Sequence, residues 1–105
     1  MTNEQYLPII TARIVERFHP LKVILFGSMA RGDARPDSDL DLLVVLPHVE
    51  NKHSAMVEIF RALSDIPAPV DVLVTTPEEI ERRRDALGSV LRPALREGRV
   101  VYELA

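Results

Sequence analysis

The spacing of apolar side chains predicts alternating helices and strands along the chain. Over residues 3–18, apolar residues recur at the three- and four-residue intervals of a helix face: Leu7, Ile10, Ile14 and Phe18. The His-Pro dipeptide that follows ends this helix, because a residue before proline disfavours helical geometry. Short β-rich apolar runs predict strands at residues 21–26, 39–46, 70–74 and 99–104.

Helix signals recur between these strands. Residues 51–65 are predicted to be helical, with four apolar residues on the face that we expect to join the core: Met56, Ile59, Phe60 and Leu63. Thr76 is expected to cap a helix that runs to about residue 87, with Glu79 completing a capping box, and a further helix follows over residues 89–98. This order predicts the α/β (α+β) class, with a small mixed sheet flanked by helices.

Composition narrows the classes of protein. With 105 residues, we expect a single domain over residues 1–105. The net charge of −3 and 5% aromatic content argue against direct nucleic-acid binding, and the absence of cysteine excludes disulfide and thiolate chemistry. No apolar run is long enough to span a membrane, and no signal peptide is recognisable, so we expect a cytoplasmic location.

One segment, residues 27–42, carries candidate chemistry and reads GSMARGDARPDSDLDL. Gly27 and Ser28 follow the first strand and open a helical turn, where backbone amides suit phosphate oxygens. Asp39 and Asp41 begin the second strand and point to the same face, because side chains alternate along a strand. Either feature alone is common in proteins, but the combination at this spacing is much more specific.

Two neighbouring carboxylates repel each other, so we expect a cation or a basic partner beside them. Hard oxygen ligands favour magnesium or manganese. Asp71, near the start of the third strand, joins Asp39 and Asp41 if the second and third strands are neighbours. Three converging carboxylates suit a two-metal site for phosphoryl transfer.

The segment resembles the nucleotidyltransferase superfamily that includes DNA polymerase beta, CCA-adding enzymes and aminoglycoside nucleotidyltransferases. More narrowly, it is similar to the minimal nucleotidyltransferase (MNT) family, whose motif is GS-x-AR-G-x5-SD-x-D-L. The matching residues are Gly27, Ser28, Ala30, Arg31, Gly32, Ser38, Asp39, Asp41 and Leu42. The resemblance implies the DNA polymerase beta-like nucleotidyltransferase fold over most of the chain.

The resemblance also implies a role for each residue of the site. Asp39 and Asp41 would bind two magnesium ions, with manganese as an alternative. Asp71 would complete the metal site nearest the attacking hydroxyl, and Gly27 and Ser28 would hold the phosphates of ATP.

Two further positions have open roles. Arg31 would contact phosphate or an acidic acceptor, or would instead form a salt bridge to Asp33 or Asp37. Ser38 would contact phosphate or cap the turn before the strand. The basic run at residues 82–84 is expected to be a solvated helix face.

MNT proteins are paired with HEPN ribonuclease toxins in toxin–antitoxin systems, where the MNT antitoxin transfers AMP from ATP to a toxin tyrosine. The resemblance therefore implies an antitoxin that forms a hetero-oligomer with a HEPN toxin. Two alternatives stay open. One is nucleotidyl transfer to a small molecule such as an aminoglycoside. The other is a non-catalytic antitoxin that holds nucleotide and blocks its partner sterically.

Overall fold

The computed structural model describes residues 2–32, 39–83 and 91–105. Its helices, after a 3₁₀ turn at Asn3–Tyr6, are α1 (Leu7–Phe18), α2 (Ser28–Arg31), α3 (Lys52–Ala62), α4 (Pro77–Arg83) and α5 (Leu91–Glu97). Its strands are β1 (Lys22–Phe26), β2 (Leu40–Val45), β3 (Val70–Thr75) and β4 (Arg99–Glu103). The predicted order of elements is confirmed wherever these residues extend.

The strands form one four-stranded mixed sheet in the order β3-β2-β1-β4. β2 and β3 are parallel, whereas β1 is antiparallel to both β2 and β4. The parallel pair requires a crossover, which α3 supplies. This architecture confirms the predicted α/β class with a mixed sheet flanked by helices.

Local signals explain how the first helix starts and stops. The Thr2 backbone N–H donates to Gln5 Oε1 at 2.7 Å, which satisfies a donor at the helix start. The first turn is 3₁₀, and α1 then continues to Phe18. His19 adopts the left-handed region with a φ of 50°, directly before Pro20, so the helix cannot continue. The predicted helix over residues 3–18 is therefore confirmed.

Different helices cover the two faces of the sheet. On β2, Leu40, Leu42 and Val44 point into a core formed with α1 and α3. Leu43 points to the opposite face, where it packs with residues of β1 and α5: Ile24, Leu91 and Ala94. Asp41 has the same parity as Leu43, so its side chain belongs to this second face.

Helix α3 departs from its sequence prediction at Phe60. Ile59 is fully buried and Leu63 is nearly so, but Phe60 is 63% exposed. Phe60 lies one residue, or about 100°, around the helix from Ile59. That rotation places Phe60 at the shoulder of the buried face, so its assignment to the core was wrong.

At the start of α4, one of the two hydrogen bonds of the predicted capping box is present. The Glu79 N–H donates to Thr76 Oγ1 at 3.2 Å, as expected for an N-cap. The Glu79 side chain does not complete the box, because its carboxylate accepts from Thr75 Oγ1 and from Lys52 Nζ, each at 2.7 Å. The buried Thr75 hydroxyl and the Lys52 charge thus outcompete the backbone of Thr76.

The helix predicted over residues 51–65 ends earlier, because α3 stops at Ala62 and a turn follows at residues 63–65. The other boundaries agree with the sequence prediction over the described residues. The predicted end of the α4 helix near residue 87 and the start of the next at residue 89 lie outside the described ranges. Arg82 and Arg83 are exposed on α4, as expected of a solvated face, and Arg84 also lies outside those ranges. Among the described helices, none has both the length and the apolar character needed to cross a membrane.

Candidate active site

The centre of the candidate site is a pair of aligned carboxylates on adjacent strands. Asp41 of β2 is the direct register partner of Asp71 of β3. Because neighbouring strands lie about 4.8 Å apart and aligned residues share a face, the two side chains emerge side by side. The condition stated for convergence, that the second and third strands be neighbours, is therefore met for Asp41 and Asp71.

Asp39 stands just before β2, two residues ahead of Asp41, and is exposed. Its charge acts on Asp41, which indicates that the two carboxylates are close. Ser38, Asp33 and Asp37 lie outside the described residues, so the expectations for them rest on the sequence alone.

Gly27 lies directly against the Asp41 carboxylate. It has a φ of 75°, a conformation that L side chains rarely adopt, and a Cβ built there would stand 2.2 Å from Asp41 Oδ2. The position of the Asp41 carboxylate therefore favours glycine at residue 27. The reason proposed from the sequence, the approach of a phosphate, is a different one. The GS and DxD parts of the motif, far apart in sequence, form one packed unit through this contact.

Ser28 begins α2, which is a single turn closed by Gly32 at a φ of 82°. The Arg31 and Gly32 N–H groups donate to the Gly27 and Ser28 carbonyls, each at 3.1 Å. The expected helical turn is therefore present, half-buried at Ser28 beside the carboxylate pair.

The pKa of Asp41 reflects its burial and the negative charges beside it. Burial raises the pKa of Asp41 above its ordinary value, and the negative charges of Asp71 and Asp39 raise it further. The positive charge of Arg31 acts in the opposite direction on the same pKa. The fold therefore places a partly buried carboxylate beside two others of the same charge.

Arg31 is the basic residue of this environment, although its guanidinium is about half exposed. Arg31 Nη1 is 4.0 Å from Glu97 Oε2 at the end of α5. Sequence reasoning did not identify Glu97, because no local pattern connects α5 to the motif. The proposed alternatives for Arg31, a phosphate contact or a salt bridge to Asp33 or Asp37, are not tested by this contact.

The chemical type of the ligand atoms, carboxylate oxygens, fits a divalent cation. Carboxylate oxygens on a rigid sheet are ligands that Mg²⁺ and Mn²⁺ prefer, and a cation would offset the repulsion felt by Asp41. As the side chains stand, residues 2–32, 39–83 and 91–105 contain no group of three or more His, Cys, Asp or Glu arranged to hold a metal ion. The described carboxylates form the pair Asp41–Asp71 with Asp39 beside it.

A shallow groove borders the site at the β3 edge of the sheet. It has a volume of about 250 Å³, and Asp71 is one of its lining residues. The other lining residues come from α3 and β3: His53, Met56, Val57, Phe60, Val70 and Val72. Sequence reasoning missed this groove, although the spacing of residues 53, 57 and 60 along one helical stripe could have indicated it.

Comparison with known proteins identifies the family. The family model described as the nucleotidyltransferase domain matches residues 9–96, which include every described residue of the candidate site. The chain therefore belongs to the nucleotidyltransferase domain family, and its reaction class is nucleotidyl transfer. A comparison with curated protein sequences gives no match.

Solved structures share the fold. A candidate nucleotidyltransferase from Sulfolobus solfataricus has 24% identity and a TM-score of 0.67, covering 94% of this chain and 78% of that one. A candidate minimal nucleotidyltransferase has 28% identity and a TM-score of 0.56, covering 94% and 95%. A chain from a toxin–antitoxin structure with AMP-PNP has 18% identity and a TM-score of 0.64, covering 91% and 73%.

Proposed function

We propose that this nucleotidyltransferase is the antitoxin of a two-component system and transfers AMP from ATP to a tyrosine of a HEPN ribonuclease toxin. The observation that carries the proposal is the aligned Asp41–Asp71 pair packed against Gly27. The fold shared with a toxin–antitoxin chain crystallised with AMP-PNP supports both the partner class and the nucleotide. The proposal includes a single domain over residues 1–105, a cytoplasmic location, a hetero-oligomer with the toxin, and no direct contact with nucleic acid or membrane.

The proposed reaction is an in-line displacement at the α-phosphorus of ATP. The tyrosine oxygen forms a bond to that phosphorus, and the bond to the bridging α–β oxygen breaks, so that pyrophosphate leaves with the electron pair. The phenolic proton passes to the Asp71 carboxylate or to solvent. Exposure of Asp71 on an edge strand supports this role, because an acceptor can reach it from outside the sheet.

The carboxylates would hold the divalent metal that this reaction class requires. We assign two magnesium ions, replaceable by manganese, to Asp39, Asp41 and Asp71. When bound, they would supply charge stabilisation to the phosphates and the departing pyrophosphate. The raised pKa of Asp41, caused by burial and by neighbouring carboxylates, supports the assignment because it marks a centre that a cation would relieve.

The other motif residues are assigned to the nucleotide. Gly27 and Ser28 would approach the phosphates through their backbone, which the lack of a side chain at Gly27 favours. Arg31 would neutralise phosphate charge, consistent with its position near Asp41. Ser38 would contact phosphate or cap the turn before β2.

The test is AMP transfer from α-labelled ATP to the purified toxin. The Asp39→Asn/Asp41→Asn double variant should transfer no label while keeping the wild-type circular dichroism spectrum and melting temperature. Asp65→Asn is a matched control, because Asp65 is an exposed carboxylate paired with Arg13 away from the site. It should transfer label at the wild-type rate.

Three outcomes would contradict the proposal in different ways. Label transfer by the double variant would exclude the metal-carboxylate mechanism. Label on a small hydroxyl compound such as an aminoglycoside, but never on protein, would identify a small-molecule enzyme. Full neutralisation of the toxin by the double variant would indicate a steric antitoxin.

A further inference from the structure

Phe60 is unusual among the large hydrophobic side chains that the structure describes. It is 63% exposed, more than Ile9 at 46%, Val100 at 48% or Leu104 at 56%. Its neighbours in the groove are apolar on both sides, with Met56 and Val57 on α3 and with Val70 and Val72 on β3. An exposed aromatic side chain in such an apolar lining is typical of a recognition surface.

The groove is continuous with the candidate active site through one strand. Asp71 lines the groove and is aligned with Asp41, whereas Val70 and Val72 flank Asp71 on the opposite face of the sheet. A ligand that occupies the groove therefore lies beside the β3 backbone at Asp71, and the carboxylate proposed to serve the acceptor hydroxyl projects from the same edge to the other face.

Some backbone N–H and C=O groups of β3 point away from β2, toward the open edge of the sheet. β3 pairs with β2 and is an edge of the sheet. Pro69 and Thr75 direct their carbonyls to β2, at 3.0 Å from Leu40 N and 2.9 Å from Leu46 N. The alternation of a parallel ladder then turns the N–H and C=O groups of Val70 and Val72 outward, where they pair with no described backbone group.

These features select the kind of ligand. Small-molecule pockets enclose about 300–1,000 Å³, and a groove of about 250 Å³ is below that range. Outward backbone groups beside side-chain pockets are the pattern that extended peptides use when they add a strand to a sheet. The negative charges of Asp39, Asp41 and Asp71 disfavour an acidic segment, since like charges at an interface cost affinity.

We propose that the α3–β3 groove, which Phe60 lines, binds an extended, non-acidic polypeptide segment of the acceptor and thereby sets acceptor specificity. The inference rests on the proposed function, because it assigns the acceptor side of the same site. Side chains of an extended segment alternate between faces, so the hydroxyl residue faces Asp71 while its two immediate neighbours face the groove. Apolar residues directly flanking the modified hydroxyl are therefore the recognition signal.

The experiment uses two synthetic peptides as probes, each with a single central tyrosine and lysines near both ends. One carries valine on both sides of the tyrosine, and the other carries serine. Label transfer from α-labelled ATP is measured with the wild type, with Phe60→Ser, and with Ile9→Ser as a matched control. Ile9 is an exposed apolar residue on α1 and does not line the groove.

Phe60→Ser should raise the KM for the valine peptide about tenfold or more, since it removes the apolar contact of a buried flanking side chain. The KM for ATP should stay unchanged, and Ile9→Ser should behave as the wild type. The serine peptide should be a poor acceptor that Phe60→Ser does not worsen further, because the two changes remove the same contact. Equal kinetics of Phe60→Ser and Ile9→Ser on the valine peptide would overturn the proposal.

Binding separates this inference from the proposed transfer reaction. Peptide affinity is measured by fluorescence anisotropy in the presence of AMP-PNP, whatever the transfer result. Loss of affinity in Phe60→Ser but not Ile9→Ser supports the groove even if no label is transferred, in which case the proposed function alone has failed. Transfer of label to the toxin tyrosine without binding of either peptide overturns the groove and leaves the proposed function intact. Absence of both binding and transfer overturns both.

Discussion

Two carboxylates near opposite ends of β3, Asp41 and Glu79, have pKa values shifted in opposite directions. At the start of the strand, Asp71 aligns with Asp41, and burial together with like charges raises the pKa of Asp41. At the end of the strand, burial also acts to raise the pKa of Glu79, but hydrogen bonds from Lys52 and Thr75 prevail and lower it. The start of β3 thus adjoins a pair of like-charged carboxylates, and its end adjoins a carboxylate whose charge is balanced by hydrogen-bond donors.

The difference separates function from stability. Thr75 is fully buried, and its hydroxyl, the Glu79 carboxylate and the Lys52 ammonium join the end of β3 to the starts of α3 and α4. Such a compensated network stabilises the fold. Within residues 2–32, 39–83 and 91–105, the charge of Arg31 lowers the pKa of Asp41 but does not outweigh burial and the neighbouring carboxylates, and this is the condition that a bound cation would exploit. Substitutions in the Asp41–Asp71 pair should therefore lower activity, and substitutions in the network of Glu79 should lower stability.

The largest expected effect is at the Asp41–Asp71 pair. Asp41→Asn should lower nucleotidyl transfer about 1,000-fold, the upper range for removing one group that stabilises charge in a transition state. The free energy of unfolding at neutral pH should stay equal or rise slightly, because the change removes the repulsion from Asp71 and Asp39. Transfer kinetics and urea denaturation measure the two quantities. A loss of stability alongside the loss of activity would remove the contrast between the two ends.

The contact between Gly27 and Asp41 predicts the next effect. In Gly27→Ala the new Cβ would stand 2.2 Å from Asp41 Oδ2, so the carboxylate must move. We expect transfer to fall about 100-fold, as for a displacement of about 1 Å at a reacting centre. Stability should fall by about 1–3 kcal/mol from the strained backbone.

Gly32→Ala is the matched control for this variant. Gly32 has a similar φ of 82°, but a Cβ there meets nothing within 4 Å. Its ψ of 9° lies in the left-handed helical region, which costs an L residue about 1–2 kcal/mol, whereas the ψ of −157° at Gly27 lies in a region that is essentially restricted to glycine. The control should therefore lose less stability than Gly27→Ala in urea denaturation and should keep most of its activity. If both variants lose activity equally, backbone strain rather than the displacement of Asp41 is the cause.

At the other end of β3, Glu79→Ala should lower the free energy of unfolding by about 2 kcal/mol, since it removes charge-assisted hydrogen bonds from a mostly buried carboxylate. Nucleotidyl transfer at a temperature well below the melting point should be unchanged. Glu78→Ala, in the same helical turn but exposed, is the control and should change stability by less than about 0.5 kcal/mol. A loss of transfer in Glu79→Ala would show that the two ends are coupled.

The smallest effect is a pH dependence with a definite sign. Because the pKa of Glu79 is lowered in the folded protein, its stabilisation is complete above the unfolded value of about 4.3 and is lost as the pH falls through the folded value. The difference in unfolding free energy between the wild type and Glu79→Gln should therefore be present at pH 7 and should narrow below about pH 4. Urea denaturation across this range measures it. In a Lys52→Gln background the difference at pH 7 should shrink, and an undiminished difference would contradict the assigned cause.

Much of this molecule follows from local sequence signals. Apolar spacing predicted the four strands, and α1 together with the 3₁₀ turn before it, to within a residue or two, because burial of one helix stripe or one strand face imposes its period on the sequence. The prediction that Asp39 and Asp41 share a face rests on the same alternation, and Asp39 lies just before the first residue of β2. Phe60 was misassigned because spacing identifies an apolar stripe but does not say how wide a strip the sheet covers.

The sequence by itself determined the elements, the motif and the resemblance to nucleotidyltransferases, all of which depend on nearby residues. Only the tertiary structure decided which distant residues meet. The parallel register of β2 and β3 sets Asp41 beside Asp71, and the return of the chain at Gly27 brings a backbone against that carboxylate. The partners of Glu79 and the exposure of Phe60 were likewise decided there. The physical reason is that strand neighbours and helix coverage are chosen by burial of the whole core, which no local stretch of sequence encodes.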